Sequence, residues 1–269
     1  MARSLRSFIS LLAIAASLLA GCAGPSIAPD ADARQALAPT GTLRIGVYLG
    51  SPTSMVKDPA SGEARGVSLD LGTELAKRLG VPSEPVVFPK LADVLEALKS
   101  GQVDFTVTNA TAVRAKFLDF TPPVVELELG YLVVPGSPVA SIADVDRPGI
   151  RVGVSQGSSS QAVLTREFKH AQVVTAPTLK AAAEMLSQHQ VDAFATNKAI
   201  LFQMSDTLPG SRVLDGRWGA EHLAIGIPKG RDKGMAYLRK FAEDAKAEGL
   251  VARAAQRAGL RGTAQSGSQ

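Results

Sequence analysis

Ile150-Arg-Val-Gly-Val154 repeats, 107 residues further along, the stretch Leu43-Arg-Ile-Gly-Val47. Both are rich in β-branched and apolar residues, as strands in a pleated sheet are. Their surroundings repeat too. After Leu43–Tyr48 comes a helical stripe of Leu71, Leu75 and Leu79 that stops at Gly80. Val86–Phe88 then reads as a strand, Leu91–Leu98 as a helix, and Val103–Thr108 as a strand. After Ile150–Val154 the order returns: a helix over 160–168, a strand over Gln172–Thr175, a helix over Leu179–Gln188 and a strand over Val191–Ala195. Each half closes on a matching turn, Ser100-Gly-Gln-Val-Asp104 and Gln188-His-Gln-Val-Asp192. Alternating strands and helices predict parallel sheets covered by helices. The duplication predicts two similar α/β lobes rather than one continuous sheet. A strand over Leu223–Ile227 and helices over 235–247 and 251–258 close the chain.

The ends read differently. Arg3 and Arg6 precede an apolar run, Phe8–Ala20, broken only by Ser10 and Ser17. That is the length of a secretory h-region and too short for a mature membrane span. The run ends in Leu19-Ala20-Gly21-Cys22, which resembles a bacterial lipobox, in which the cysteine is acylated and becomes the new N-terminus. Cys22 is the only cysteine, so no intramolecular disulfide is available. Residues 1–21 are therefore expected to be a signal peptide and 22–41 a lipidated, flexible tether. The tail over 262–269 is small and polar and is expected to be disordered.

Charge points to no acidic partner. Removing Arg3 and Arg6 lowers Lys+Arg from 29 to 27 against 25 Asp+Glu, a net charge of +2. No basic stripe with interleaved aromatics appears, so no nucleic acid is expected. The three histidines, His170, His189 and His222, are scattered, and neither a metal site nor a cofactor is expected.

From Thr42 to about Gly259 the chain resembles the bacterial extracellular solute-binding proteins of the polar amino-acid type, family 3 of ABC transporters. The ordered matches are Leu43–Val47, Gly66-Val-Ser-Leu-Asp70, Leu95–Asp104, Thr111-x-x-Arg114 followed by Asp119-Phe120-Thr-x-Pro123, and Gly153-Val-Ser-Gln-Gly157-Ser-Ser159. The resemblance implies a two-lobed periplasmic-binding-protein-like fold of type II, with two parallel-rich sheets joined by two crossover strands. Lobe one would be 42–126 plus 223–261, and lobe two 127–222. Ligand would sit between them, where open α/β sheets place ligands.

Arg114 follows the third strand of lobe one, and a guanidinium grips a carboxylate through two parallel hydrogen bonds. The resemblance assigns it the ligand carboxylate. Gly157, Ser158 and Ser159 open a helix whose amides suit an anion. The resemblance makes them the second jaw, with Gln156 beside them, although Ser158 is also an ordinary N-cap residue. Asn109, Thr111 and Ser51 sit in loops whose counterparts contact ligand or brace the arginine. Asn197 stands where amino-acid binders usually place an aspartate for the ligand ammonium. Leu91 and the loop Leu49–Ser54 lack the aromatics often stacked on ligand there, and Tyr48 is a strand residue that could reach the pocket. Asn197 thus predicts weak preference for an α-ammonium, unless Glu126, Glu128, Glu221 or His222, near the crossovers, replaces the charge.

The expected role is that of a monomeric, non-enzymatic binding component of an ABC importer, taking a small carboxylate-bearing solute, amino acid or organic acid. It would be periplasmic, or on the outer face of a single membrane, anchored to the bilayer by Cys22 and paired with a membrane permease. The alternatives are a dehydratase-like periplasmic enzyme, with Glu126 or Glu221 as acid, and a ligand sensor.

Overall fold

A computed structural model describes residues 31–58 and 60–264. Helix α1 (Ala31–Leu37) precedes β1 (Leu43–Tyr48), the short hairpin β2 (Val56–Lys57) and β3 (Ala64–Arg65), α2 (Val67–Leu79), β4 (Ser83–Phe88), α3 (Leu91–Lys99), β5 (Thr106–Asn109) and β6 (Leu118–Phe120). Strand β7 (Val125–Val133) then leaves this lobe. The second lobe holds β8 (Arg151–Ser155), α4 (Ser159–Glu167), β9 (Gln172–Ala176), α5 (Leu179–Ser187), β10 (Ala193–Asn197), α6 (Lys198–Ser205) and β11 (Arg212–Val213). Strand β12 (Gly219–Pro228) returns, and α7 (Asp232–Ala247) and α8 (Leu250–Arg257) complete the first lobe.

Each lobe buries its own apolar residues. Ile45, Leu75, Phe105, Ile225 and Leu238 belong to one cluster. The second lobe packs Val152, Val154 and Tyr131 in one cluster and Leu132, Leu186 and Phe194 in another. Parallel pairing holds β1 to β4, and β8 to both β9 and β10. Covered by helices, such strands read as nearly continuous apolar runs.

The repeated turns have a common physical cause. Asp104 accepts from the Arg44 amide at 3.0 Å and from its guanidinium at 2.8 Å. Asp192 does the same for Arg151, at 2.8 Å for both bonds. In each lobe an aspartate thereby fastens the turn after a helix to the start of the neighbouring strand. Both turns need a left-handed residue: Gly101 has φ 72° and its counterpart His189 φ 53°.

Three features differ from the sequence reading. Strands of the two lobes are hydrogen-bonded into one curled ladder, in the order β5-β12-β7-β10-β8-β9, while β1 and β4 form a separate two-stranded sheet. The reason is the length of the crossover strands. Val125–Leu129 pairs antiparallel with Gly219–Leu223, and the remainder of each strand pairs inside one lobe. Second, part of the expected tether is folded: Ala33, Leu37 and Ala38 are buried, and Arg34 Nε donates to the Leu79 carbonyl at 2.9 Å. One helical turn brings Ala33 and Leu37 onto the same face, so few apolar residues suffice. Third, the expected tail begins as a strap. Gly262 O accepts from the Glu128 amide at 3.0 Å, and the Ala264 amide donates to Glu126 O at 3.0 Å. Backbone groups do this irrespective of composition, which is why small polar residues gave no sign of it. The expected signal peptide, Cys22 and residues 265–269 lie outside the described residues. No helix among the described residues is long and apolar enough to cross a membrane.

Candidate functional site

The two lobes meet across a cleft whose walls include Tyr48, Arg114, Ser155, Ser158, Asn197 and Glu221. Arg114 follows β5, at the carboxyl ends of the first lobe's strands, where open α/β sheets present loops to ligands. Thr111 Oγ1 accepts from the Arg114 amide at 3.2 Å and so holds the turn that aims it. Arg114 Nη1 donates to Thr108 Oγ1 at 2.8 Å and to the Asn109 carbonyl at 3.1 Å, and Nη2 donates to the Gly157 carbonyl of the other lobe at 3.3 Å. The residue is 5% exposed, yet among the described residues it forms no ion pair. Burial pulls its pKa below the ordinary arginine value, and the charge of Glu221 opposes that shift.

Facing it, the loop between β8 and α4 turns at Gly157, with φ 75°. A Cβ there would stand 3.0 Å from that of Ala92, so the bare glycine lets this loop touch the N-terminus of α3. Ser158 Oγ accepts from the Gln161 amide at 3.0 Å, which makes it the N-cap of α4 while it also lines the cleft. Two amides expected to face an anion are engaged within the loop: Gly157 N by Gln161 Oε1 at 2.8 Å and Ser158 N by Ser155 O at 3.1 Å. Gln156 Oε1 accepts from Lys90 Nζ of the first lobe at 3.0 Å.

Ser159 does not line the cavity directly. Its Oγ donates to Glu221 Oε1 at 2.7 Å and accepts from Asn109 Nδ2 at 3.1 Å. Asn109 Oδ1 in turn accepts from the His222 amide at 3.0 Å. Asn197 N-caps α6, its Oδ1 accepting from the Ile200 amide at 3.2 Å, while Nδ2 donates to Glu221 Oε2 at 2.9 Å. Arg114, Asn109, Gly157, Ser159 and Asn197 are therefore joined around Glu221 and the cleft. Ser51 stands apart: it is fully buried, its Oγ bonded to Thr53 Oγ1 at 2.8 Å, and Thr53 takes its place in the lining. The tight turn explains this, since Ser54 N donates to Ser51 O and folds residue 51 beneath the loop.

Three cleft residues were weighted too lightly or missed in the sequence. Glu221 is 7% exposed, buried although it lies on a crossover strand. Tyr48 does reach the lining, where burial pushes its phenol pKa up and the Ser51 hydroxyl opposes the shift. Ser155 lines the cavity, and its buried hydroxyl has no hydrogen-bond partner among the described residues. By contrast, Glu126 stays half exposed against His222 at 3.0 Å, and Glu128 pairs with Lys198 at 2.6 Å. Among the described residues no cluster suited to a metal ion occurs.

A model of the bacterial extracellular solute-binding proteins, family 3, matches residues 43–259. The glutamine-binding protein GlnH of an ABC transporter in Bacillus subtilis (strain 168) is 26% identical over 235 residues, covering 84% of this chain and 85% of its own. The glutamine-binding protein of Geobacillus stearothermophilus is 26% identical over 240 residues, covering 83% and 90%. Among solved structures, an ancestral arginine-binding protein bound to glutamine superposes with a TM-score of 0.72 at 26% identity, over 81% of this chain and 97% of the other.

Proposed function

The chain belongs to the bacterial extracellular solute-binding proteins of family 3, and we propose that it serves an ABC importer, delivering a small carboxylate-bearing solute to a membrane permease. The single observation behind this reading is Arg114, a buried guanidinium that faces the cleft without an ion-pair partner among the described residues. A buried charge without a direct ion pair is costly, and a ligand carboxylate relieves it with charge-assisted bonds. The relatives named above, which are binding proteins for an amino acid, support the same solute class. The ligand's carboxylate would lie between Arg114 and the Ser155–Ser158 side of the cleft, so that binding and lobe closure form one linked equilibrium. Mass spectrometry of solute retained through native purification tests this: an amino acid or organic acid is expected, and a ligand with no acid group would overturn it.

Cys22 is proposed as the acylated residue that holds the protein to a membrane on the extracytoplasmic side. Several acyl chains give stable anchoring where one is marginal. Cys22→Ser should abolish fatty-acid labelling, and persistent labelling would reject the anchor.

A further inference from the structure

We propose that the chain carries a second binding site, outside the cleft, that takes a phosphate group between Lys57, Arg65 and Arg261 on one wall and Gln203 of the second lobe on the other. The site is independent of the cleft and of the solute held there.

A groove of about 510 Å³ lies between the β2–β3 hairpin, the end of α8 and the end of α6, and it shares no residue with the lining of the cleft. Its volume is in the range of small-molecule sites, roughly 300–1,000 Å³. Several donors on its walls are unused. Lys57 is exposed, and neither its ammonium nor the side-chain amides of Gln203 and Gln256 have a partner among the described residues. Arg65 donates through Nη2 to Asp58 at 2.9 Å, while its buried Nε has no hydrogen-bond partner among the described residues. Arg261 is held in place by Asp206, one oxygen at 3.1 Å, and by stacking over Phe202 at 5.1 Å. The lining thus sets three cations against the single carboxylate of Asp206, a net charge of +2. Asp58 lies outside the lining and offsets only part of that charge, at Arg65.

The donor set points to an oxyanion. Ammonium, guanidinium and amide N–H groups all donate, and Arg and Lys are the usual partners of phosphate. A carboxylate presents two oxygens in one plane. A phosphate presents its oxygens in several directions, which suits donors that approach from the hairpin, from α8 and from α6. Val56 and Leu260 leave an apolar strip beside the cations. The groove therefore has room for free inorganic phosphate or for the phosphate of an organic body, and the bilayer proposed to hold Cys22 presents such groups as lipid headgroups.

Calorimetry with inorganic phosphate, at an ionic strength held constant with sodium chloride, tests the site. Saturable binding is expected, and the pair Lys57→Gln with Arg65→Gln should weaken it at least about tenfold. Lys57→Gln alone removes an exposed, unpaired side chain, leaves the fold intact and should weaken binding at least about threefold. Arg114→Ala should leave phosphate binding unchanged, because Arg114 belongs to the cleft. Flotation of the Cys22→Ser protein with phosphatidylglycerol vesicles separates the two sources. Vesicle binding that free phosphate displaces and Lys57→Gln weakens assigns the site to a headgroup. Phosphate binding without vesicle binding assigns it to a soluble phosphate. Absence of saturable binding to both probes would overturn the proposal. So would phosphate binding that Arg114→Ala abolishes and Lys57→Gln leaves intact, since that result places the anion in the cleft.

Discussion

Arg114 is held by Thr108, Asn109 and the opposing Gly157 carbonyl before any ligand arrives, so its fork is already oriented. Truncating one partner of a buried charged contact costs about 2–5 kcal/mol. Arg114→Ala should therefore weaken ligand binding at least ~30-fold by calorimetry. Arg114→Lys should not restore it, because a lysine keeps the charge but loses the planar fork. Gly157→Ala should act by another route. Its φ is left-handed and its Cβ would press on Ala92 of the opposite lobe. Small-angle scattering should show a more open average shape, with weakened binding and little loss of secondary structure. Most of the residues joined around the cleft were legible in the sequence, because Arg114, Asn109 and the Gly157–Ser159 loop sit at strand ends in ordered motifs. Glu221 was legible in principle as well. Along Glu221-His-Leu223-Ala-Ile225 the period of two puts the carboxylate on the face of two buried apolar residues, whereas Glu126 and Glu128 alternate against Val125, Leu127 and Leu129. Ser51 and Thr53 could not be sorted this way, since a tight turn decides which of them faces the cleft.

Among the elements, the two Arg–Asp-fastened turns are one device used twice, with a glycine in one lobe and a histidine in the other. Left-handed backbone costs a non-glycine residue about 1–2 kcal/mol. His189→Gly should accordingly raise the melting temperature by about 2–8 °C, as circular dichroism would show, and Gly101→His should lower it. Asp192 adds a pH dependence. Burial alone would raise its pKa, but the hydrogen bonds from Arg151 outweigh burial and the value is lowered. Its contribution is hence present above the unfolded aspartate pKa, about 3.9, and is lost as acid carries the pH down through the lower folded value. Asp192→Asn should flatten the acid limb of a stability profile over that window. Repetition made these elements readable. Among the helices, α1 and α6 escaped, and so did the two- and three-residue strands β2, β3, β6 and β11. The start of α6 depends on the cap supplied by Asn197, the residue that stands where amino-acid binders place an aspartate for the ligand.

At the scale of the molecule, the chain crosses between lobes on β7 and β12 and touches both again where residues 262–264 lie along β7. Just before that strap, Arg261 pairs with Asp206 at the end of α6, one oxygen at 3.1 Å, and stacks over Phe202 at 5.1 Å. Asp206 belongs to one lobe and the body of the closing helices to the other, so a change in the angle between lobes has to stretch this clasp or carry it along. The pair is about half exposed on both sides and is worth well under ~1 kcal/mol. Exposed ion pairs are also the interactions that ions in solution weaken most, since the screening length falls from about 10 Å at 0.1 M to about 3 Å at 1 M. Ionic strength would then act as a loosening agent on the back of the hinge, independent of the solute in front, and a salt-insensitive lobe angle in Arg261→Ala would trace that effect to a single side chain.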